Sequence, residues 1–100
     1  MFAIYFEWVV KTGCEDEFAR LWSAGTQALR GEGSLGSALF KSDDGIFHGF
    51  ARWPDRETRD KAFAKRIRPD IFDPFADCIM ELVQRREMDL LETQWLPEPC

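Results

Sequence analysis

Hydrophobic side chains fill nearly every position of the N-terminal segment MFAIYFEWVV, and aromatic and β-branched residues dominate it. This composition predicts a β-strand over residues 2–10. Side chains alternate along a strand, so one face carries Phe2, Ile4, Phe6, Trp8 and Val10 and the other carries Ala3, Tyr5, Glu7 and Val9. A sheet with one face in water shows a clean apolar and polar alternation, whereas both faces here are largely apolar. We therefore expect both sides of this strand to be covered.

Gly13 ends the strand, and after it the hydrophobic residues no longer alternate but recur at helical spacing. Acidic side chains at positions 15–17 suit the first turn of a helix, where the helix dipole favours negative charge. Apolar residues then recur at helical spacing: Phe18, Leu21, Trp22, Gly25 and Leu29. This stripe predicts an amphipathic helix that ends near Arg30, where the segment GEGSLG begins.

Two further strands are predicted at Ser37–Lys41 and Ile46–Trp53, joined by the hairpin turn signal SDDG. Pro54 stops the second of these strands. Asp55 is a suitable N-cap for a second helix, which we expect to run through about Arg68.

The C-terminal third predicts a third helix, roughly Pro74–Val83, a last strand at Arg86–Gln94 and a frayed tail, WLPEPC. The resulting order is strand, helix, strand, strand, helix, helix, strand. It corresponds to an α+β, ferredoxin-like βαββαβ fold with a four-stranded antiparallel sheet and helices on one face. We expect one domain over residues 1–100.

Helices on one side of the sheet leave the second apolar face of the first strand uncovered. The simplest solution is a homodimer in which two sheets pack face to face and form a dimeric α+β barrel.

Composition narrows the classes of function. The net charge of −5 argues against nucleic-acid or anionic-membrane partners. One histidine and three separated cysteines, at positions 14, 78 and 100, argue against a metal site and a disulfide framework. The N-terminus lacks the basic segment and cleavage site of a signal peptide, so we expect a cytoplasmic protein. Phe, Trp and Tyr make up 14% of the chain, and this high aromatic content is the compositional feature that a function has to explain.

Three segments, VVKTGCEDEFARLW, GSLGSALFKSDDG and ARWPDRETRDKAF, resemble the antibiotic biosynthesis monooxygenase family of dimeric α+β barrels in their order and spacing. The resemblance implies the fold derived above, including the face-to-face dimer. Some members of that family oxidise polycyclic phenols and quinols with dioxygen and without a metal or flavin, and others degrade haem. The haem-degrading members carry an Asn on the first strand, where this chain has Phe6 and Glu7, so we expect no cofactor.

The resemblance implies a cofactor-independent monooxygenase that acts on a small, flat, quinol- or anthrone-like molecule. The alternative is a dimeric barrel that binds a small ligand without catalysis, which the absence of a recognisable acid–base pair favours.

His48 and Arg52 are the candidate catalytic residues, because they share one face of the third strand. If that face lines a pocket, His48 could take a proton from a phenol and Arg52 could stabilise the anion. If it faces a partner or solvent, both are structural, with His48 close to Glu7. The candidate substrate-binding residues are aromatic: Phe6, Trp8, Trp22, Phe50 and Phe63. The alternative for Trp22 is that it only fills the core, as aromatic residues at helical spacing usually do.

Overall fold

A computed structural model describes residues 1–95 of the chain. The elements are β1 (Phe2–Val10), α1 (Glu15–Arg30), β2 (Gly36–Lys41), β3 (Phe47–Trp53), α2 (Arg56–Ala64), α3 (Pro69–Asp77) and β4 (Ile79–Asp89). The strands form one antiparallel sheet in the order β2-β3-β1-β4. The predicted α+β, ferredoxin-like architecture is confirmed. None of the helices within residues 1–95 has the length and apolarity to cross a membrane.

The core lies between the sheet and the three helices. Phe2, Ile4 and Trp8 of β1 are buried there, as the alternation predicted. Two groups of side chains fill the space: one contains Trp8, Phe18, Leu21, Phe47, Ile71 and Cys78, and the other contains Phe2, Ile4, Trp53 and Ala62.

Helix α2 ends at Ala64, four residues before the predicted end at Arg68. Its start is as predicted, since Asp55 accepts a hydrogen bond from the backbone N–H of Thr58 at 2.7 Å. Arg66 and Arg68 adopt the left-handed backbone conformation, with φ of 50° and 48°, which breaks the helix. Arg68 also precedes Pro69, and a proline disfavours the right-handed α conformation of the residue before it.

The predictions for the third helix and the last strand were wrong in their bounds. Helix α3 begins at Pro69, a favourable first position, and holds Pro74 in its interior. The segment 79–83, predicted as helix, pairs with the end of β1 from the Val10–Ile79 partners onward. Residues 75, 79 and 82 have helical spacing, but residues 79–83 form a strand because they pair with the edge of β1, which would otherwise be open. The predicted frayed tail falls largely on residues 96–100, outside the described residues.

Two cysteines that are distant in the sequence meet at the end of the sheet. The backbone N–H of Lys11 donates to the carbonyl of Cys78, and that of Cys14 donates to the carbonyl of Lys11, both at 2.9 Å. Cys14 and Cys78 are free thiols. Burial raises the pKa of the Cys78 thiol, and the neighbouring Cys14 adds to the shift.

Candidate functional site

A cavity of about 160 Å³ lies between the sheet and the helices. Aromatic rings from β1, α1, β3, α2 and α3 contribute most of its wall. The lining comprises Ile4, Phe6, Trp8, Leu21, Trp22, Gly25, Thr26, Leu29, Ser37, Gly49, Phe50, Ala51, Trp53, Phe63, Phe72 and Phe75. None of these side chains is ionisable.

The floor of the cavity depends on a glycine. A Cβ atom placed on Gly49 would lie 2.6 Å from Cη2 and 2.7 Å from Cζ3 of Trp8. The Trp8 indole therefore lies directly over the β3 backbone, and its ring stacks on Phe6 at a centroid distance of 5.0 Å. Phe18 and Phe75 meet the edge of the same indole at centroid distances of 5.4 and 5.9 Å. These contacts hold the floor in one arrangement.

Few polar groups face the cavity. Trp22 enters from α1, and its Nε1 lies 3.8 Å from the Cβ position of Gly49. Thr26, one helical turn later, and Ser37 of β2 add hydroxyl groups to the lining. Within residues 1–95 the indole N–H of Trp22 has no protein hydrogen-bond partner, so it is available to an oxygen atom of a ligand.

A second cavity of about 230 Å³ adjoins the first. Its lining comprises Leu29, Ala62, Phe63, Arg66, Ile67, Pro69, Phe72 and Asp73. The two cavities share Leu29, Phe63 and Phe72. The second cavity is therefore a continuation of the first toward the connection between α2 and α3, and it is the one that carries charged side chains.

The opposite, open face of the sheet carries a chain of hydrogen-bonded polar side chains. Tyr5 donates to Oε1 of Glu7 at 2.8 Å, and its hydroxyl lies 2.7 Å from Nδ1 of His48. Nε2 of His48 lies 2.9 Å from Oγ of Ser42, which donates to Asp44 at 2.5 Å. The carboxylate of Glu7 raises the pKa of the Tyr5 hydroxyl, chiefly through their hydrogen bond. The chain links β1, β3 and the hairpin turn.

Arg52 is held on the open face by two contacts. Its Nη2 donates to the carbonyl of Leu35 at 3.3 Å, and its guanidinium lies over the ring of Trp95 at 4.9 Å. The strand register explains why His48 and Arg52 lie on the open face. His48 pairs with Glu7 and Arg52 pairs with Ala3, and the side chains of all four residues point away from the helices.

The structure thus divides the predicted site residues between the two faces. The five aromatic candidates, Phe6, Trp8, Trp22, Phe50 and Phe63, all line the cavity. Phe50 borders the cavity only by its position in β3 between Gly49 and Ala51, because the alternation of the strand directs its ring to the open face, where it pairs with Tyr5. His48 and Arg52 are absent from the lining, so their catalytic assignment stays a prediction and applies only to an open-face site.

Sequence reasoning missed several lining residues. Thr26 could have been found, because it lies four residues after Trp22 on the same helical face. Phe72 was missed because α3 was predicted to begin at Pro74, which left residue 72 in a connection. Within residues 1–95, no group of three or more His, Cys, Asp or Glu side chains is arranged to hold a metal ion.

Comparison with known proteins yields matches only among solved structures. No family model matches the chain, and no curated protein matches it. A protein from Chloroflexus aurantiacus, described provisionally as an antibiotic biosynthesis monooxygenase, is 11% identical over 96% of this chain and 98% of its own, with a TM-score of 0.81. Rv0793 from Mycobacterium tuberculosis is 17% identical over 92% of this chain and 96% of its own, with a TM-score of 0.75.

A third similar structure is a variant of SnoaB from Streptomyces nogalater, named a cofactor-independent oxygenase. It is 16% identical over 97% of both chains, with a TM-score of 0.72. Identities this low show a common fold and leave the reaction open. The resemblance predicted from the three sequence segments is confirmed at that level: this chain has the fold of the structures named antibiotic biosynthesis monooxygenases.

Proposed function

We propose that the helix-covered cavity binds a small, flat aromatic molecule and that the chain oxidises it with dioxygen as a cofactor-independent monooxygenase. The observation that carries this proposal is the cavity lining: rings from β1, α1, α2 and α3 surround the space, and no lining side chain is ionisable. Aromatic pairs contribute about 0.5–1.5 kcal/mol each beyond the burial of area. The name of the SnoaB structure supports the oxygenase part of the proposal.

The size of the cavity favours a small ring system. Its volume is about 160 Å³. An engineered apolar cavity of about 150 Å³ in another protein holds benzene, so one substituted ring is the natural occupant. A quinol of one ring fits this description better than a tricyclic anthrone does.

A quinol can supply every electron that the reaction needs. One oxygen atom of dioxygen enters the ring as a hydroxyl group. The other leaves as water, with the two hydrogens released as the quinol becomes a quinone. The protein therefore has to bind the substrate, orient it and keep water away. The free N–H of Trp22 is the group we assign to the substrate oxygen, where it would stabilise developing negative charge.

Oxygen consumption tests the proposal. An oxygen electrode with a panel of one-ring quinols, naphthols and anthrones should show turnover, fastest with the smallest ring systems. Trp22→Phe keeps a ring and removes the N–H, and we expect turnover to fall about tenfold or more. Oxygen uptake no faster than in buffer would contradict the enzyme proposal.

Two further variants locate the reaction on one face. His48→Ala and Arg52→Ala should leave turnover unchanged if the reaction occurs in the cavity. A loss of turnover in both variants, with Trp22→Phe unaffected, would instead support the predicted catalytic roles of His48 and Arg52 at an open-face site.

The second candidate function is binding without catalysis. The lack of an ionisable side chain in the lining of the first cavity favours it, because nothing there can accept the proton of a phenol. Saturable quenching of tryptophan fluorescence by quinols, without oxygen uptake, would identify this function.

We further propose that a second copy of the chain covers the open face as a homodimer. Phe40 is 62% exposed and pairs with His48, on the same face of the sheet as the half-buried Tyr5 and Phe50. The same face carries both Glu7 and Arg52, so charges of opposite sign are available to pair across a two-fold interface that joins this surface to itself. Light scattering after size exclusion should give twice the chain mass of 11.6 kDa, and a monomer would contradict the proposal. A cytoplasmic location and a single domain over residues 1–100 stay predictions.

A further inference from the structure

Three side chains line both cavities, and each comes from a different helix. Leu29 comes from α1, Phe63 from α2 and Phe72 from α3. A ligand too large for the first cavity extends into the second past these side chains, so the position of each one sets the width of the passage. The three side chains differ in how tightly their neighbours hold them.

Phe72 is held in place by its neighbours. A Cβ atom on Gly25 would lie 3.1 Å from Cε1 and 3.2 Å from Cζ of Phe72, so its ring packs directly on the backbone of α1. Leu29 packs against the buried group around Phe2, Ile4 and Trp53. Both side chains are therefore confined by close contacts.

Phe63 is held more loosely. It is 50% exposed, and its ring centroid lies 6.2 Å from that of Trp53 and 6.5 Å from that of Phe72. Both distances are near the outer limit for aromatic pairs. A half-exposed phenyl ring can change rotamer without opening a void in the core, because water can take its place.

We propose that Phe63 is a gate that sets the size of ring system the protein accepts. With the gate closed, the first cavity takes one ring; with it open, the two cavities form one slot for a fused polycyclic aromatic. This inference rests on the proposed aromatic-binding function of the first cavity. It adds the residue that determines specificity.

The second cavity also indicates where such a ligand carries oxygen. The lining of the second cavity includes the exposed side chains of Arg66, a donor group, and Asp73, an acceptor group, whereas no charged residue lines the first cavity. A hydroxyl or carbonyl on the far ring of a fused system can hydrogen-bond to either of them. An unsubstituted hydrocarbon ring would leave both charged groups facing an apolar surface.

The test compares phenol, 2-naphthol and 2-hydroxyanthracene, with binding measured by quenching of tryptophan fluorescence. The wild-type chain should bind phenol and discriminate against 2-hydroxyanthracene. Phe63→Ala should bind 2-hydroxyanthracene at least tenfold more tightly than the wild type does. Its phenol affinity should fall, because Phe63 also lines the first cavity, so the preference for one ring is reversed. The exposure of Phe63 makes the variant a mild one for folding, and thermal unfolding checks this.

Ile67→Ala is the matched control, because Ile67 lines only the second cavity and does not separate the two. It should leave the discrimination against 2-hydroxyanthracene in place. The gate is refuted if Phe63→Ala binds the tricyclic ligand no better than the wild type, or if Ile67→Ala gains as much. If phenol fails to bind the wild type while Phe63→Ala binds 2-hydroxyanthracene, the gate stands and the proposed one-ring site fails. If no probe binds either protein, both proposals fail.

Discussion

The two faces of the sheet are built from the same strands, yet they hold their side chains in different ways. On the helix-covered face, Trp8 stacks on Phe6 and meets Phe18 and Phe75 edge-on. On the open face, Tyr5 and His48 belong to a chain of hydrogen bonds that ends in carboxylates. Packing organises the first face, and hydrogen bonding organises the second.

This difference bears directly on where chemistry can occur. The cavity offers shape, aromatic rings, the indole N–H of Trp22 and the hydroxyl groups of Thr26 and Ser37, while the sole histidine lies on the other side of the sheet. A substrate in the cavity has to contribute its own reactivity, and a substrate that needs a protein base has to bind at the open face. Variants that act on one face at a time can test this division.

Removal of a core ring should have the largest effect. Phe18 is fully buried and contacts Phe75, Phe47 and Trp8, so Phe18→Ala should lower the free energy of unfolding by about 3–5 kcal/mol. The matched variant, Phe40→Ala on the open face, should cost the monomer less than about 1 kcal/mol. Urea unfolding at low protein concentration measures both. Equal losses would mean that the two faces are not organised differently.

A methyl group on Gly49 should have the next largest effect. The new Cβ would meet the Trp8 ring at 2.6 Å, so Gly49→Ala should destabilise the chain by about 1–3 kcal/mol and disturb the cavity floor. Gly31→Ala is the control, since its nearest atom would be at 3.8 Å, and we expect a change within about 0.5 kcal/mol. Thermal unfolding and quinol binding measure the two consequences separately. A stable Gly49→Ala with unaltered binding would show that the Trp8 ring has room to move.

A charge on the open face should separate the proposed dimer. Phe40→Asp places two like-charged groups in a face-to-face interface and should weaken dimerisation at least tenfold. Phe63→Asp is the matched control, because Phe63 is also half exposed but lies on the helix side. Light scattering across a dilution series measures both. Dissociation by Phe63→Asp alone would place the interface on the helices.

The smallest effect concerns acid stability. Glu87 of β4 accepts hydrogen bonds from Arg59, at 2.5 Å, and from Arg56, and these arginines hold its pKa below the ordinary value of 4.5. A lowered pKa in the folded state means that the stabilisation is present above pH 4.5 and is lost as the pH falls through the lowered value.

Glu87→Gln should therefore flatten the decline in stability between neutral and acid pH, as measured by urea unfolding at each pH. Glu57→Gln is the control, since the one ion pair that Glu57 forms among residues 1–95 is with the exposed Lys61 on the same helix. An unchanged acid slope in Glu87→Gln would show that ionisation of Glu87 contributes nothing to the pH dependence of stability.

Local pattern was sufficient for most of the fold. Alternation identified β1 and its two faces, and acid-led helical spacing identified α1 with its bounds. It failed at the C-terminal third, because residues 79–83 have helical spacing and their strand state depends on the distant edge of β1. It failed again at Arg66 and Arg68, whose left-handed backbone follows from the reversal into α3.

The sequence by itself determined which residues share a face. Periodicity is a property of the backbone, so it put His48 with Arg52 and Trp8 with Phe6 before any tertiary contact was known. Only the tertiary structure decided which face the helices cover, because that depends on how chain segments far apart in sequence pack together. That choice placed the rings of Phe6, Trp8, Trp22 and Phe63 around a cavity, and it placed Phe50 and the histidine on the opposite face. It also brought Cys14 to Cys78 and closed the cavity with Phe72, for which the local sequence carries no signal.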